Sequence, residues 1–268
     1  MVTGISTACF YPELTEKSLL RTAELGFRTA ELFFNSSSEL NGAILHELES
    51  IRHHYGMEIV SVHPFTSFAE GYIFFSDYER RVTDGLDLYR RYFLAAAQLG
   101  ARFLVMHGGK AAKQLPAEFY AERLARVIRA GREFGITVTH ENVVHFSCES
   151  VGYAKQLAEL LGDAFRMTLD IKQCVRAGED PFSFIQELGT HIDHVHVSDH
   201  GLRGDCLPPG EGDFDFPSLF GHLEASGYRG AYIIGSTPTD FPMTASCWNR
   251  SAICATVVER SERMKQNL

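Results

Sequence analysis

Apolar positions along the chain fall into two alternating patterns. Short apolar runs bounded by polar residues occur at 2–6 (VTGIS), 28–34 (RTAELFF), 58–63 (EIVSVH), 102–107 (RFLVMH), 136–141 (ITVTHE), 166–170 (RMTLD), 192–197 (IDHVHV) and 231–235 (AYIIG). Their length and their content of Val, Ile, Leu and Phe predict strands covered on both faces. Between them, apolar residues recur three or four apart, predicting helices over 15–25, 38–56, 77–99, 117–134, 151–162, 180–188, 216–226 and 249–265. Several helices close on a Gly that leads straight into the next strand, as in ELGFRTAEL, QLGARFLVMH, EFGITVTHE and ASGYRGAYII. Gly suits the left-handed position just past a helix. Pro and Ser/Thr/Asp/Glu clusters precede the helices, as caps require.

A strand–loop–helix–turn unit of about 33 residues, repeated eight times, is the pattern of an α/β fold of the (β/α)8 TIM barrel type. No composition break, low-complexity tract or long linker divides the chain, so residues 1–268 read as a single domain. A doubly wound open sheet is the competing arrangement, but no GxGxxG follows the first strand.

Hydrophobic residues make up 45% of the chain and charged residues 22%, which excludes a disordered, collagenous or coiled-coil protein. The net charge is −9, so nucleic acid is not an expected partner. Cys9, Cys148, Cys174, Cys206, Cys247 and Cys254 form no CxxC pair. That pattern points to a reducing, cytoplasmic setting rather than a disulfide framework. The opening MVTGISTACFYPELTEK reads as a first strand rather than a signal peptide. With no apolar run of about 18 residues, no membrane partner is expected.

In a TIM barrel the site lies at the C-terminal ends of the strands. His63, His107, Glu141 and Asp170 end the third to sixth predicted strands, and His196 lies near the end of the seventh. Core strands ordinarily end in apolar or small residues, and a buried unpaired carboxylate is costly. One divalent cation would offset that cost. Two carboxylates with imidazoles suit Mn²⁺ or Mg²⁺ best, with Zn²⁺ also compatible. The absence of thiolates at strand ends argues against a structural zinc site.

The segments SVHPF, LGARFLVMHGG, ITVTHENV, LDIKQCVRAGEDPFSFIQELGTHIDHVHVSDH and LPPGEGDFDFPSLFGHLEASGYRGAYII follow one another from about residue 58 to 235. In this order they resemble the xylose-isomerase-like TIM barrels, a superfamily of sugar (phosphate) isomerases and epimerases that also includes endonuclease IV. The resemblance implies that Glu141, Asp170 and His196 hold the metal and that Glu141 doubles as acid/base. It places Gly210–Glu211–Gly212 in a turn near the substrate. His63 and His107 match positions that hold metals in the endonucleases and contact substrate in the isomerases. The fourth ligand of the sugar epimerases, a Glu ending the eighth strand, is replaced here by Gly235. Gln173 and Leu207 stand where the endonucleases have further metal-binding His residues.

The implied chemistry is proton transfer next to a carbonyl through an enediolate. The expected function is a divalent-metal-dependent isomerase or epimerase of a small sugar or sugar-like ketone. Glu141 and His107 are the expected catalytic residues, and His63, Glu211, Arg203 and Lys172 the substrate contacts. Glu211 or Asp213 would substitute for the missing acid. Lys110 and Lys172 are candidate phosphate contacts. An endonuclease IV-like hydrolase is disfavoured by the incomplete ligand set and the acidic charge. A catalytically degenerate barrel that binds a small carbohydrate is favoured by Gly235.

Glu31 on the second strand could face the mouth, but a buried salt bridge with an Arg such as Arg28 or Arg102 is at least as well supported, and Glu31 is left outside the site. Alternation turns His140 outward against the helices and leaves His194 inward but deeper. Asp199 or His200 is expected to orient His196. Phe33, Phe34, Phe65, Phe68, Tyr72, Phe74, Phe75 and Trp248 would form a pocket wall or a homo-oligomer interface.

Overall fold

The computed structural model describes residues 2–110 and 114–235. Parallel strands β1 (Val2–Ser6), β2 (Thr29–Phe33), β3 (Glu58–His63), β4 (Phe103–Met106), β5 (Thr137–Glu141), β6 (Met167–Asp170), β7 (Ile192–Val197) and β10 (Ala231–Ile234) close a barrel in sequence order, β1 pairing with β10. Each falls where the apolar runs predict one. In the loop after β7, β8 (Asp199–Gly201) and β9 (Gly204–Leu207) form an antiparallel hairpin, which the sequence pattern did not signal.

The helices are α1 (Thr15–Glu24), α2 (Gly42–Tyr55), α3 (Glu70–Ile73), α4 (Glu79–Leu99), α5 (Ala117–Arg132), α6 (Val151–Leu161), α7 (Ile171–Ala177), α8 (Pro181–Leu188) and α9 (Phe216–Ala225). The helix predicted over 38–56 starts later, because Asn41 Oδ1 caps the amides of Ala43 and Ile44 (3.1 and 3.2 Å). α3 and α7 are additions to the prediction. The helix predicted over 249–265, together with Cys247, Trp248 and Cys254, lies outside the described residues. Gly26, Gly100, Gly135 and Gly227 adopt φ of +87°, +77°, +73° and +96°, the left-handed conformation their place after a helix calls for.

The main core lies between sheet and helices, where Phe27, Leu32, Tyr89, Phe93, Leu104, Leu169 and Phe184 are all buried. Cys9, Cys148, Cys174 and Cys206 are buried. A separate small apolar cluster joins Val60, Ala231 and Ile233. Ser61, Thr139, Thr168 and His194 are also fully buried, and Thr168 Oγ1 donates to Thr139 Oγ1 at 2.7 Å. No described helix is long and apolar enough to cross a membrane.

Two register slips decide what faces the barrel mouth. β2 and β3 pair Ala30 with Ile59 but Glu31 with Ser61. β6 and β7 pair Met167 with Ile192 but Thr168 with His194, so Asp170 lies opposite His196. Without the second slip Asp170 would lie opposite Val195, on the other face of the pleat. A bulge re-aims side chains in this way, and here it does so beside the candidate site.

Candidate metal centre

His63, Glu141 and Asp170 are the last residues of β3, β5 and β6, His107 directly follows β4, and His196 is the penultimate residue of β7. All of them line one cavity of about 260 Å³ at the mouth of the barrel. Glu31, Phe33, Lys172, Gln173, Arg176 and Gly235 line it too. Lys172 thus lies at the mouth, where the sequence reading put it. Phe33 is one of the aromatic residues expected in a pocket wall; Glu31 lines the mouth although it was left outside the expected site, and Arg176 is an addition.

Glu141 faces two ways. Its Oε1 lies 3.7 Å from His196 Nδ1, which is also 3.5 Å from Asp170 Oδ2. Its Oε2 lies 3.1 Å from His107 Nε2 and 3.7 Å from His63 Nε2, and these two nitrogens are 2.9 Å apart. This Oε2 is buried and accepts no hydrogen bond of acceptable geometry. Burial opposes ionisation of Glu141, but the electrostatic pull and polar contacts of His107, followed by those of His196 and His63, outweigh it. The carboxyl is held well below the usual range. Burial likewise opposes a charge on His196. Glu31, Asp170 and Glu141 overcome this and raise its pKa well above the usual value.

The backbone around the ligands is tied from several sides. Asn142, next to Glu141, receives the amide of Asp170 on its Oδ1 at 2.8 Å and donates from Nδ2 to the Asp170 carbonyl at 3.1 Å. Asp170 itself caps α7, its Oδ1 accepting from Gln173 N at 3.0 Å. On the outer face, Tyr120 of α5 reaches His140 Nε2 at 2.7 Å, and His140 Nδ1 reaches the Glu141 carbonyl at 3.0 Å. His140 therefore turns outward as alternation predicts, and burial pushes its pKa down to about 4. Behind His107, the amide of Gly108 donates to buried Glu70 Oε2 at 2.5 Å, and Tyr89 donates to Glu70 Oε1. Burial pushes the Glu70 carboxyl up to about 7. Gly108 has φ of +83°, and a Cβ there would overlap Tyr120 and His140 at 2.0 and 2.4 Å.

The donor set fits a divalent cation. Candidate ligand atoms of Glu141, Asp170 and His196 all lie within 4.8 Å of one another, as do those of His63, His107 and Glu141. Among the described residues, Glu141 and Asp170 have no ion-pair partner but histidine. Two buried acids separated from an imidazole nitrogen by more than hydrogen-bond length are the setting a cation would complete.

Other expectations meet a different geometry. Among the described residues, Glu31 is not bridged to an arginine. Its Oε2 contacts His196, His194 and Ser61, while Arg28 donates to the carbonyls of Ala23 and Phe27 and Arg102 pairs with Glu58. Asp199 does not orient His196. It accepts from the amides of His200, Gly210 and Phe214 and so shapes the loop after the hairpin. Arg203 and Glu211 pair with each other at 3.2 Å and do not line the mouth cavity. Of the aromatic residues, Phe33 lines the mouth, stacked on His63 at 4.8 Å. Phe34, Phe74 and Phe75 belong to the core, and Phe68 and Tyr72 are exposed.

Known proteins share this architecture. An uncharacterised protein of Methanocaldococcus jannaschii is 26% identical over 246 residues, covering 86% of this chain and 82% of its own length. The structure of an L-ribulose 3-epimerase superposes with a TM-score of 0.77 at 17% identity, over 99% of this chain and 97% of that one. An IolI protein with a bound zinc atom superposes with a TM-score of 0.76 at 14% identity, over 97% of this chain and 99% of that one. Residues 19–247 match the sequence profile of the xylose isomerase-like TIM barrels, and the chain belongs to that family.

Proposed function

We propose that the protein is a divalent-cation-dependent isomerase or epimerase of a small sugar or sugar-like ketone. Glu141, Asp170 and His196 would hold the cation. The observation that carries this reading is the division of Glu141, with one oxygen beside the ligands and the other, buried and without a well-formed hydrogen bond, beside His107. When bound, a divalent cation supplies polarisation of the ketose carbonyl and stabilisation of the enediolate. Glu141 Oε2 would take the proton from the adjacent carbon, with His107 as its partner in proton transfer. His63, with its ring fixed against Phe33, would orient a substrate hydroxyl. Lys172 and Arg176 would meet the polar end of the substrate. The sugar relatives and the zinc-bearing neighbour support the chemical class.

The test is metal analysis and Mn²⁺ titration of the purified protein, followed by a ketose panel in D2O read for deuterium at the carbon next to the carbonyl. Metal-dependent exchange that disappears in Glu141→Gln is the expected result. A protein that takes up no divalent ion sinks the metal reading. A second reading, a barrel that binds carbohydrate without turning it over, is favoured by Gly235. It predicts metal or sugar binding without exchange.

A further inference from the structure

The mouth of the barrel contains a third acid that the ligand set does not use. Glu31 on β2 is 2% exposed and lines the same cavity. A single oxygen, Oε2, gathers three polar contacts: Ser61 Oγ at 2.9 Å, His196 Nε2 at 3.0 Å and His194 Nε2 at 3.2 Å. Among the described residues, no lysine or arginine pairs with it. Ser61 Oγ and His194 Nε2 also lie 3.1 Å apart, so the two groups that contact Glu31 brace each other.

His196 stands between Glu31 and the ligand acids. Its Nε2 is committed to Glu31, and its Nδ1 looks toward Asp170 Oδ2 and Glu141 Oε1. A carboxylate on one imidazole nitrogen keeps the proton there and leaves the lone pair on the other. In the neutral ring that lone pair points at two carboxylates, a repulsion that either a proton on Nδ1 or a cation between the three groups relieves. The carboxylate on Nε2 also makes the ring a stronger donor and fixes its rotation.

We propose that Glu31 is the positioning residue of the metal centre, holding His196 so that Nδ1 is presented to the cation, with Ser61 and His194 holding Glu31 in turn. This rests on the reading of Glu141, Asp170 and His196 as ligands. The consequence is specific to this chain. Gly235 brings no acid at the end of β10, so among the described residues the ligand set is small and the aim of its one imidazole carries more of the affinity. The contribution comes from β2, on the side of His196 away from Asp170 and Glu141.

The experiment is Mn²⁺ titration of the full-length, chelator-stripped protein by calorimetry, with ¹⁴N spin-echo modulation of the bound Mn²⁺ as the second readout. Wild type is expected to bind Mn²⁺ with an imidazole modulation, and Glu141→Gln to lose binding. Glu31→Gln keeps an acceptor for Nε2–H but loses the charge, and is expected to bind about tenfold more weakly with the modulation retained. Glu31→Ala is expected to bind about a hundredfold more weakly with the modulation diminished. Ser61→Ala, which leaves Glu31 in place with one donor fewer, gives a smaller loss in the same direction and serves if Glu31→Ala does not fold. Folded Glu31 and Ser61 variants with wild-type affinity and modulation overturn the proposal and leave the ligand reading standing. A wild type that binds no divalent ion overturns the ligand reading, and this proposal with it.

Discussion

Glu70 and His140 lie on opposite sides of the Gly108 turn and titrate against each other. Glu70, raised from 4.5 to about 7, stabilises the fold most below its ordinary pKa, and that contribution is lost as pH rises through about 7. His140, lowered from 6.5 to about 4, contributes stability above 6.5 that is lost as pH falls through about 4. Both groups are buried, and each shift corresponds to about 3 kcal/mol. Between about pH 4.5 and 6.5 the two slopes oppose in wild type. Glu70→Gln should therefore gain about 3 kcal/mol relative to wild type as pH rises from 4.5 to 7, and His140→Gln the same as pH falls from 6.5 to 4. Denaturant unfolding across this range checks both, and a variant-minus-wild-type difference that stays flat with pH disproves the assignment. At this scale the sequence was legible where chemistry and place coincide. His63, His107, Glu141, Asp170 and His196 are polar residues at strand ends. Glu31 was not, because its partners lie 30, 163 and 165 residues away, and a Glu followed by Leu and Phe reads equally well as a structural ion pair.

Elements show a second kind of coupling. Asp170 ends β6 and caps α7, so one side chain faces the cavity and starts the helix that carries Lys172, Gln173 and Arg176 to the mouth. Its Oδ1 takes the Gln173 amide while Oδ2 faces His196. Asn caps about as well as Asp but lacks the charge, whereas Ala cannot cap. Asp170→Ala should therefore unfold about 1 kcal/mol more easily than Asp170→Asn. Both should bind Mn²⁺ at least about tenfold more weakly than wild type, since ligand charge sets affinity. Equal stability of the two variants would contradict the capping role. Asp170 and Gly178 bracket α7 with cap signals, but the helix spans 7 residues, too few to show a period. The two strands of the β8–β9 hairpin, 3 and 4 residues long, are shorter still, and they escaped the pattern for the same reason.

At the scale of the whole molecule, closure of the barrel places Gly235 of the eighth unit beside His196. A Cβ built there would sit 3.6 Å from His196 Cβ and Cγ, an ordinary contact, and the backbone is not in the left-handed region. Gly235→Glu should fold with a melting temperature near that of wild type. It should bind Mn²⁺ more tightly, on the order of tenfold, because an added carboxylate raises the ligand charge. Gained exchange activity would mean that the site lacks only this ligand, and an unchanged Mn²⁺ affinity would show that a side chain at 235 does not reach the cation. What the sequence determined by itself is local: the period of each strand and helix, the glycines that end the helices, and the polar residues that end five consecutive strands. Those follow from neighbours a few residues apart. Which of these side chains meet was decided by the tertiary structure. The slips between β2 and β3 and between β6 and β7 bring Glu31 level with Ser61 and Asp170 level with His196, and strand pairing across the barrel depends on contacts that no local pattern records.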